Sequence, residues 1–175
     1  MTMNPILENW NHLEPQVAVA TVLPCNGSLE WAVQLAQLRP IASEEALFAA
    51  SDSVWRSLSS DDWQEAFDSH PRIGEHKAKA ATQKSLSWSA GEQSAAQLTE
   101  DTQAELAAAN RVYEVTFGRI FIVCASGKSA EEMLAILRKR LENDSETELL
   151  EAAEQQRQIT QIRLRKWLAA PQEAK

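Results

Sequence analysis

The chain of 175 residues has few glycines and no excess of positive charge. Five glycines and six prolines exclude a collagen-like or low-complexity chain. The net charge of −8 and the pI near 5.0 argue against a general nucleic-acid binder, because phosphate contacts need clustered Lys and Arg. Hydrophobic residues at 44% and charged residues at 24% are the proportions of a globular protein, and the length suits one domain with a substantial core.

Long apolar runs and cysteine pairs are also missing. The longest apolar run, Ile120 to Ala125, is far shorter than the roughly 20 residues that a bilayer requires. Met1 to Pro5 contains no basic region followed by an apolar one, so we expect no signal peptide. Cys25 and Cys124 form no C-x-x-C motif, and we expect both to be reduced, with a single disulfide as the alternative. We therefore expect a cytoplasmic protein that has no membrane partner.

The residues that are abundant indicate helices, since Ala, Leu, Glu and Gln dominate and apolar residues recur at spacings of three and four. Start and stop signals predict helices from Ser28 to Arg39, from Ser43 onward, from Ser59 or Ser60 to near His70, from about Thr102 to Phe117, and after the capping-box pairs Ser129/Glu132 and Ser145/Glu148. Only Arg119 to Cys124 has an extended pattern, and one such segment cannot form a sheet. We predict one all-α domain over residues 1–175, a helical bundle with an extended or irregular segment near 119–125 between two long helices.

Common catalytic fingerprints are absent from the sequence. It has no G-x-x-x-x-G-K-[ST], no G-x-G-x-x-G, no H-E-x-x-H and no G-x-S-x-G. The spacing of His12, His70 and His76 does not form a metal set, because Pro71 and Gly74 interrupt helical pairing between the last two. We expect no metal site.

His70 is the first candidate for chemistry. Pro71 makes the chain leave a helix at this point, and the negative end of that helix favours an imidazolium. The result would be an imidazole on a rigid corner near solvent, able to exchange protons near neutral pH. On local pattern alone, a histidine that merely caps the helix end is the favoured alternative.

The second candidate is the run Ser89, Ala90, Gly91, Glu92 and Gln93. Glu92 could act as an acid or base, and the Gln93 amide could bind the donor and acceptor edges of a ligand. Ser89 with Glu92 is also a capping-box pair, and local pattern favours that structural role.

The third candidate is Arg163, which shares a helical stripe with Ile159 and Trp167. A guanidinium there could reach water, the commoner outcome, or hold a carboxylate through its two parallel N–H donors. Asn110 lies at helical spacing from Leu106 and Tyr113, and we expect it to make a buried structural hydrogen bond.

Together these segments resemble the 2-oxo-4-hydroxy-4-carboxy-5-ureidoimidazoline (OHCU) decarboxylase family of urate degradation. The resemblance extends from about Leu29 to Trp167, and its ordered combination of motifs is highly specific. It rests on His70-Pro71-Arg72-Ile73-Gly74, Glu92-Gln93, Asn110, Tyr113-Glu114, Phe117-Gly118, Phe121-Ile122-Val123-Cys124-Ala125, Ile159 and Ile162-Arg163-Leu164.

The resemblance implies an all-α enzyme without a cofactor that converts OHCU into (S)-allantoin and CO2. The family's catalytic histidine corresponds to His70, its catalytic glutamate to Glu92, and its substrate-facing arginine to Arg163. Its substrate-binding stretches correspond to Pro71, to Ser89, Ala90, Gly91, Glu92 and Gln93, and to Phe121, Ile122, Val123, Cys124 and Ala125. We expect the extended backbone of this last stretch to bind the polar rim of the substrate.

A small anionic ureide is therefore the expected partner, and the oligomeric state stays open between a monomer and a homodimer. Two alternatives remain at this point. The chain could be another cofactor-free lyase or hydrolase that acts on a ureide, or a helical interaction module without catalysis.

Overall fold

The computed structural model describes residues 3–73, 84, 87–89 and 100–171. Within these ranges the chain is helical, and no strand occurs, which confirms the all-α prediction. In chain order the helices are α1 Pro5–Asn11, α2 Pro15–Asn26, α3 Leu29–Gln37, α4 Glu44–Ser57, α5 Ser60–Asp68, α6 Glu100–Phe117, α7 Ala130–Arg140 and α8 Ser145–Leu168.

Side-chain caps start several of these helices where the sequence predicts them. Ser28 accepts a hydrogen bond from the backbone N–H of Trp31, and Ser43 accepts one from Ala46. Ser129 and Glu132 form the reciprocal capping box ahead of α7. Each cap satisfies an N–H group that the first turn of a helix leaves without an internal partner.

The capping box predicted from Ser145 and Glu148 is wrong. Asp144 caps α8 instead, since its carboxylate accepts hydrogen bonds from the N–H and hydroxyl of Thr147 at 2.8 Å. Glu148 is fully buried, and its carboxylate takes part in a different cluster of hydrogen bonds. The S-x-x-E pattern therefore placed both the cap and the first residue of α8 one position late.

The segment between α6 and α7 is irregular, as predicted. Gly118 ends α6 with φ of 71°, a left-handed conformation in which a side chain would be strained. Phe121 to Ala125 follows without regular structure, and each of its residues is at most 6% exposed.

The structure divides into two compact units. The first comprises Met1–Glu65 with Arg157–Lys175. Its core includes Trp10, which meets Trp167 edge to face at 5.9 Å and donates from Nε1 to the carbonyl oxygen of Ala18 at 2.9 Å. Helices α1 and α2 were not predicted from the sequence. Each of these two helices has proline at its first position, and this was the available signal. The apolar residues of α2 do not gather on one face, so helical periodicity did not reveal that helix.

The second unit comprises Ala66–Gln156. Its core packs Tyr113 and Phe117 of α6 against the 121–125 segment and against Met133 and Leu137 of α7. Tyr113 lies 4.8 Å from the ring of Phe117 and 5.4 Å from that of Phe121. None of the described helices is both long enough and apolar enough to cross a membrane.

Candidate active site

His70 lies two residues beyond the end of α5. Its backbone N–H donates to the carbonyl of Phe67 at 3.1 Å, and Pro71 directs the chain away from the helix axis. The residue is only 8% exposed, so the expectation of an imidazole near solvent is wrong. Burial removes competing water and strengthens every hydrogen bond that the ring makes.

The ring of His70 is held by α8. Nε2 of His70 lies 2.6 Å from Oε1 of Gln156, whose side chain is fully buried. A carboxamide oxygen only accepts hydrogen bonds, so Nε2–H is the donor. Sequence reasoning missed Gln156, although its spacing of three from Ile159 places it on the apolar stripe that drew attention to Arg163.

Side chains from the neighbouring helices hold the 121–125 segment. The N–H of Cys124 donates to Oε1 of Gln155 at 2.8 Å, and Nζ of Lys128 donates to the carbonyl of Cys124 at 2.8 Å. Arg140 donates from Nη1 to the carbonyl of Ile122 at 2.6 Å. The carbonyl of Ala125 accepts from the N–H of Lys128 at 3.1 Å. Four backbone groups that the sequence analysis expected to bind substrate are therefore bonded within the protein.

A buried cluster of charged and polar side chains contacts the 121–125 segment. Glu148 accepts hydrogen bonds from Nε and Nη2 of Arg140 at 2.9 and 2.5 Å, from the hydroxyl of Tyr113 at 2.5 Å, and from Nδ2 of Asn143 at 3.0 Å. Arg140 also lies over the ring of Phe121 at 4.7 Å. Burial and the hydrogen bond to the Glu148 carboxylate raise the pKa of Tyr113 far above its ordinary value.

A cleft of about 360 Å³ lies beside Arg72 and Ile73, which follow His70 and Pro71 in the chain. It is lined by Arg72, Ile73, Gln103, Ala107, Asn110, Arg111 and Glu114. Arg72 donates from Nη2 to Glu114 at 2.9 Å and from Nε to the other carboxylate oxygen. This pairing fixes the chain directly after Pro71. Asn110 is 4% exposed, as expected for a buried amide.

Arg163 belongs to the first unit and is fully buried. Its side chain does not reach water, so the commoner of the two outcomes considered for it is wrong. Nη1 donates to the carbonyl of Pro24 at 3.3 Å. An arginine with this burial is retained where its charge has partners, because an isolated buried guanidinium is costly.

The remaining predicted site residues are only partly described. Ser89 is buried, 3% exposed, within a helical stretch at 87–89. Ala90, Gly91, Glu92 and Gln93 lie outside the described residues, as does His76. Across the described ranges, no three His, Cys, Asp or Glu side chains are grouped to hold a metal ion, and Cys25 and Cys124 are buried and form no disulfide.

Comparison with known sequences gives a consistent result. The model of one protein family, described as OHCU decarboxylase, matches residues 11–165. The uric acid degradation bifunctional protein TTL of Arabidopsis thaliana is 40% identical over 144 residues, which are 81% of this chain and 44% of that protein. The uric acid degradation bifunctional protein of Bacillus sp. (strain TB-90) is 28% identical over 129 residues, which are 72% of this chain and 24% of that protein. The chain thus spans less than half the length of these curated relatives.

Solved structures share the architecture. An OHCU decarboxylase crystallised in the presence of (S)-allantoin superimposes with a TM-score of 0.73 at 33% identity, covering 90% of this chain and all of that one. An (S)-allantoin synthase superimposes with a TM-score of 0.71 at 19% identity, covering 92% of this chain and 53% of that one, and this second likeness concerns the fold alone.

Proposed function

The chain belongs to the OHCU decarboxylase family, and from this membership we propose that it is a carboxy-lyase that converts OHCU into (S)-allantoin and CO2 without a cofactor. Its substrate would be a small anionic ureide. The 33% identity to an OHCU decarboxylase that is covered over its whole length supports this activity for the chain on its own. We also propose a cytoplasmic location, in which the buried thiols of Cys25 and Cys124 would stay reduced.

The reaction suits a protein that supplies only side chains and backbone groups. The bond to the carboxylate carbon breaks, and its electron pair moves toward the adjacent ring C=N, so the substrate provides its own electron sink. The hydroxyl oxygen becomes a carbonyl oxygen as its proton leaves. One proton adds to the ring nitrogen of the former C=N, and a second adds to one face of the neighbouring carbon, which becomes the stereocentre of (S)-allantoin.

Three residues receive roles in this proposal. His70 is the acid or base that manages the proton of the hydroxyl and carboxylate region. Arg163 anchors the substrate carboxylate through paired N–H donors. Glu92 accepts a hydrogen bond from the ring or ureido group, or orients His70.

The observation that carries the proposal is the way α8 holds two predicted site elements with consecutive residues. Gln155 accepts the N–H of Cys124, and Gln156 accepts the Nε2–H of His70. The histidine and the 121–125 segment are thereby fixed to the same turn of one helix. Preorganised groups of this kind are what an enzyme needs when its catalysis consists of orientation and proton transfer.

Hydrogen bonds within the protein leave fewer backbone groups of the 121–125 segment to bind the substrate. The carbonyls of Ile122, Cys124 and Ala125 and the N–H of Cys124 already have protein partners. We assign the contacts to the polar rim of the substrate to the other backbone groups of this segment, together with Pro71, Ser89, Ala90, Gly91 and Gln93.

The test is turnover of freshly generated OHCU by the purified chain, followed by loss of substrate and by the optical activity of the allantoin formed. We expect rate enhancement and an excess of the (S) enantiomer, since uncatalysed decay gives a racemate. His70→Asn should lower kcat by roughly 100-fold or more with the far-ultraviolet circular dichroism unchanged. His12→Asn is the matched control, because His12 is an exposed histidine at another helix end, and it should keep the wild-type rate.

Four results would contradict the proposal. A folded His70→Asn variant that still makes (S)-allantoin at the wild-type rate would end the role of His70. An unchanged rate of OHCU loss with racemic product would favour an interaction module, and turnover of a related ureide alone would favour a different lyase or hydrolase. Exhaustive chelation should leave the rate intact, and recovery only on addition of a divalent metal would reject the absence of a cofactor.

A further inference from the structure

Gln156 contacts the proposed acid-base group directly and has no assigned role. We propose that Gln156 is a positioning residue that fixes the proton of neutral His70 on Nε2, so that Nδ1 is the nitrogen that takes up and releases the substrate's proton. This inference rests on the proposed function for its catalytic consequence, and on the geometry alone for the tautomer.

The tautomer follows from the chemistry of the contact. Oε1 of Gln156 has lone pairs and no proton, and it lies 2.6 Å from Nε2 of His70, a short distance for an N–H to oxygen hydrogen bond. Gln156 is 0% exposed and His70 is 8% exposed, so water cannot readily replace this acceptor. A buried N–H that lost its acceptor would keep its full desolvation penalty, and this difference favours the tautomer that is protonated on Nε2.

A neutral partner is the suitable choice for a histidine that must both gain and lose a proton. A carboxylate at this place would attract the imidazolium and disfavour return to the neutral ring. The carboxamide of Gln156 orients the ring while adding no charge. In both ring forms Nε2 stays protonated against Oε1, and proton exchange takes place at Nδ1. Of the two roles proposed for Glu92, this assignment keeps the hydrogen bond with the ring or ureido group of the substrate.

The position of Gln156 on α8 adds a second constraint. Its neighbour Gln155 accepts the N–H of Cys124 at 2.8 Å and donates from Nε2 to Glu151 at 2.9 Å. The turn that holds the His70 ring therefore also holds the 121–125 segment. A shift of Gln156 would move the ring relative to the segment that the family resemblance assigns to substrate binding.

The direct test is nitrogen-15 NMR of the histidine side chains in the wild-type protein, which has three histidines. Assignment by His70→Asn identifies the signals of His70, and their chemical shifts report which nitrogen carries the proton. We expect the neutral ring to be protonated on Nε2. A neutral ring protonated on Nδ1 would overturn the proposal without the use of any variant of Gln156.

Variants then separate positioning from stability. Gln156→Met has nearly the same volume and no strong acceptor, so both tautomers should appear and kcat should fall roughly 10-fold or more with little change in KM. Gln161→Met is the matched control: Gln161 is a buried glutamine of α8 that donates to Asp52 at 2.7 Å and to the carbonyl of Phe48 at 3.2 Å. It should lose stability while keeping kcat and the His70 tautomer.

Gln156→Glu tests the role of the neutral amide. It keeps an oxygen acceptor, so the proton should stay on Nε2, while the added charge should raise the pKa of His70 by about one unit or more in the NMR titration. An unmoved pKa in this variant would show that residue 156 does not contact the His70 ring in solution and would overturn the proposal.

The outcomes distinguish this proposal from the proposed function. If the wild-type protein does not turn over OHCU but Gln156→Met changes the His70 tautomer, the function falls and the positioning stands. If OHCU is turned over and Gln156→Met matches Gln161→Met in kcat and in the NMR spectrum, the positioning is refuted and the function stands.

Discussion

Replacing Glu148 by glutamine should destabilise the protein by about 3 to 5 kcal/mol, because it leaves the charge of Arg140 buried without its counterion. Arg140 is 5% exposed and Glu148 is fully buried. The substitution keeps the size of the side chain and an oxygen acceptor. What it removes is the negative charge that two nitrogens of Arg140 contact at 2.5 and 2.9 Å.

The magnitude has two independent supports. Two unit charges about 4 Å apart attract by about 4 kcal/mol at an effective dielectric constant of about 20. Removal of one member of a buried ion pair costs about 3 to 5 kcal/mol in measured cases. The Tyr113 hydroxyl and the Asn143 amide also donate to this carboxylate, so two further hydrogen bonds weaken when it becomes neutral.

Urea unfolding followed by circular dichroism provides the measurement. With a slope near 2 kcal/mol per molar urea, the midpoint should fall by about 1.5 to 2.5 M at an unchanged slope. Glu105→Gln is the control, since Glu105 pairs with Arg138 at 2.6 Å with both side chains more than half exposed. An exposed pair of this kind contributes at most about 1 kcal/mol.

Equal losses of stability in Glu148→Gln and Glu105→Gln, within about 1 kcal/mol, would refute this prediction. The double replacement Glu148→Leu with Arg140→Met gives a second check. Its cost should be smaller than the sum of the two single replacements, because it removes both charges together. Additive costs would show that the two side chains do not interact.

Two further predictions concern Tyr113 and Arg163. Tyr113 is the sole tyrosine, and burial together with its bond to Glu148 raises its pKa above the ordinary value of about 10. The folded protein at pH 11 should therefore show no tyrosinate absorbance at 295 nm, and the stability linked to this group, fully present below pH about 10, should be lost as the pH rises further. A midpoint near pH 10 in the folded state would contradict this. Arg163→Lys should raise KM for OHCU roughly 10-fold with a smaller effect on kcat, since an ammonium cannot hold a carboxylate through two parallel bonds. Arg165→Lys, at an exposed position of the same helix, should leave steady-state kinetics unchanged, and equal effects would remove Arg163 from the site.

The elements that the sequence predicted are those with strong local signals. Ser28, Ser43 and the Ser129/Glu132 pair cap the predicted helices, and Gly118 ends α6. The helices without a one-sided apolar pattern, α1 and α2, were missed. Asp144 and Ser145 compete for the start of α8, and local pattern cannot settle which of two adjacent residues caps a helix.

Helix periodicity, caps and ordered motifs act over a few residues, so the helical class, the irregular 119–125 segment and the candidates His70 and Arg163 could all be predicted from the order of the amino acids. The hydrogen-bond and ion-pair partners of the buried polar groups depend instead on the tertiary structure. Glu148 became the counterion of Arg140, Gln156 met His70 across 86 positions, and the 121–125 backbone took its hydrogen bonds from Gln155, Lys128 and Arg140. The physical reason is that a buried polar group must find a partner wherever the fold supplies one, and the fold brings together residues whose separation in sequence carries no local signal.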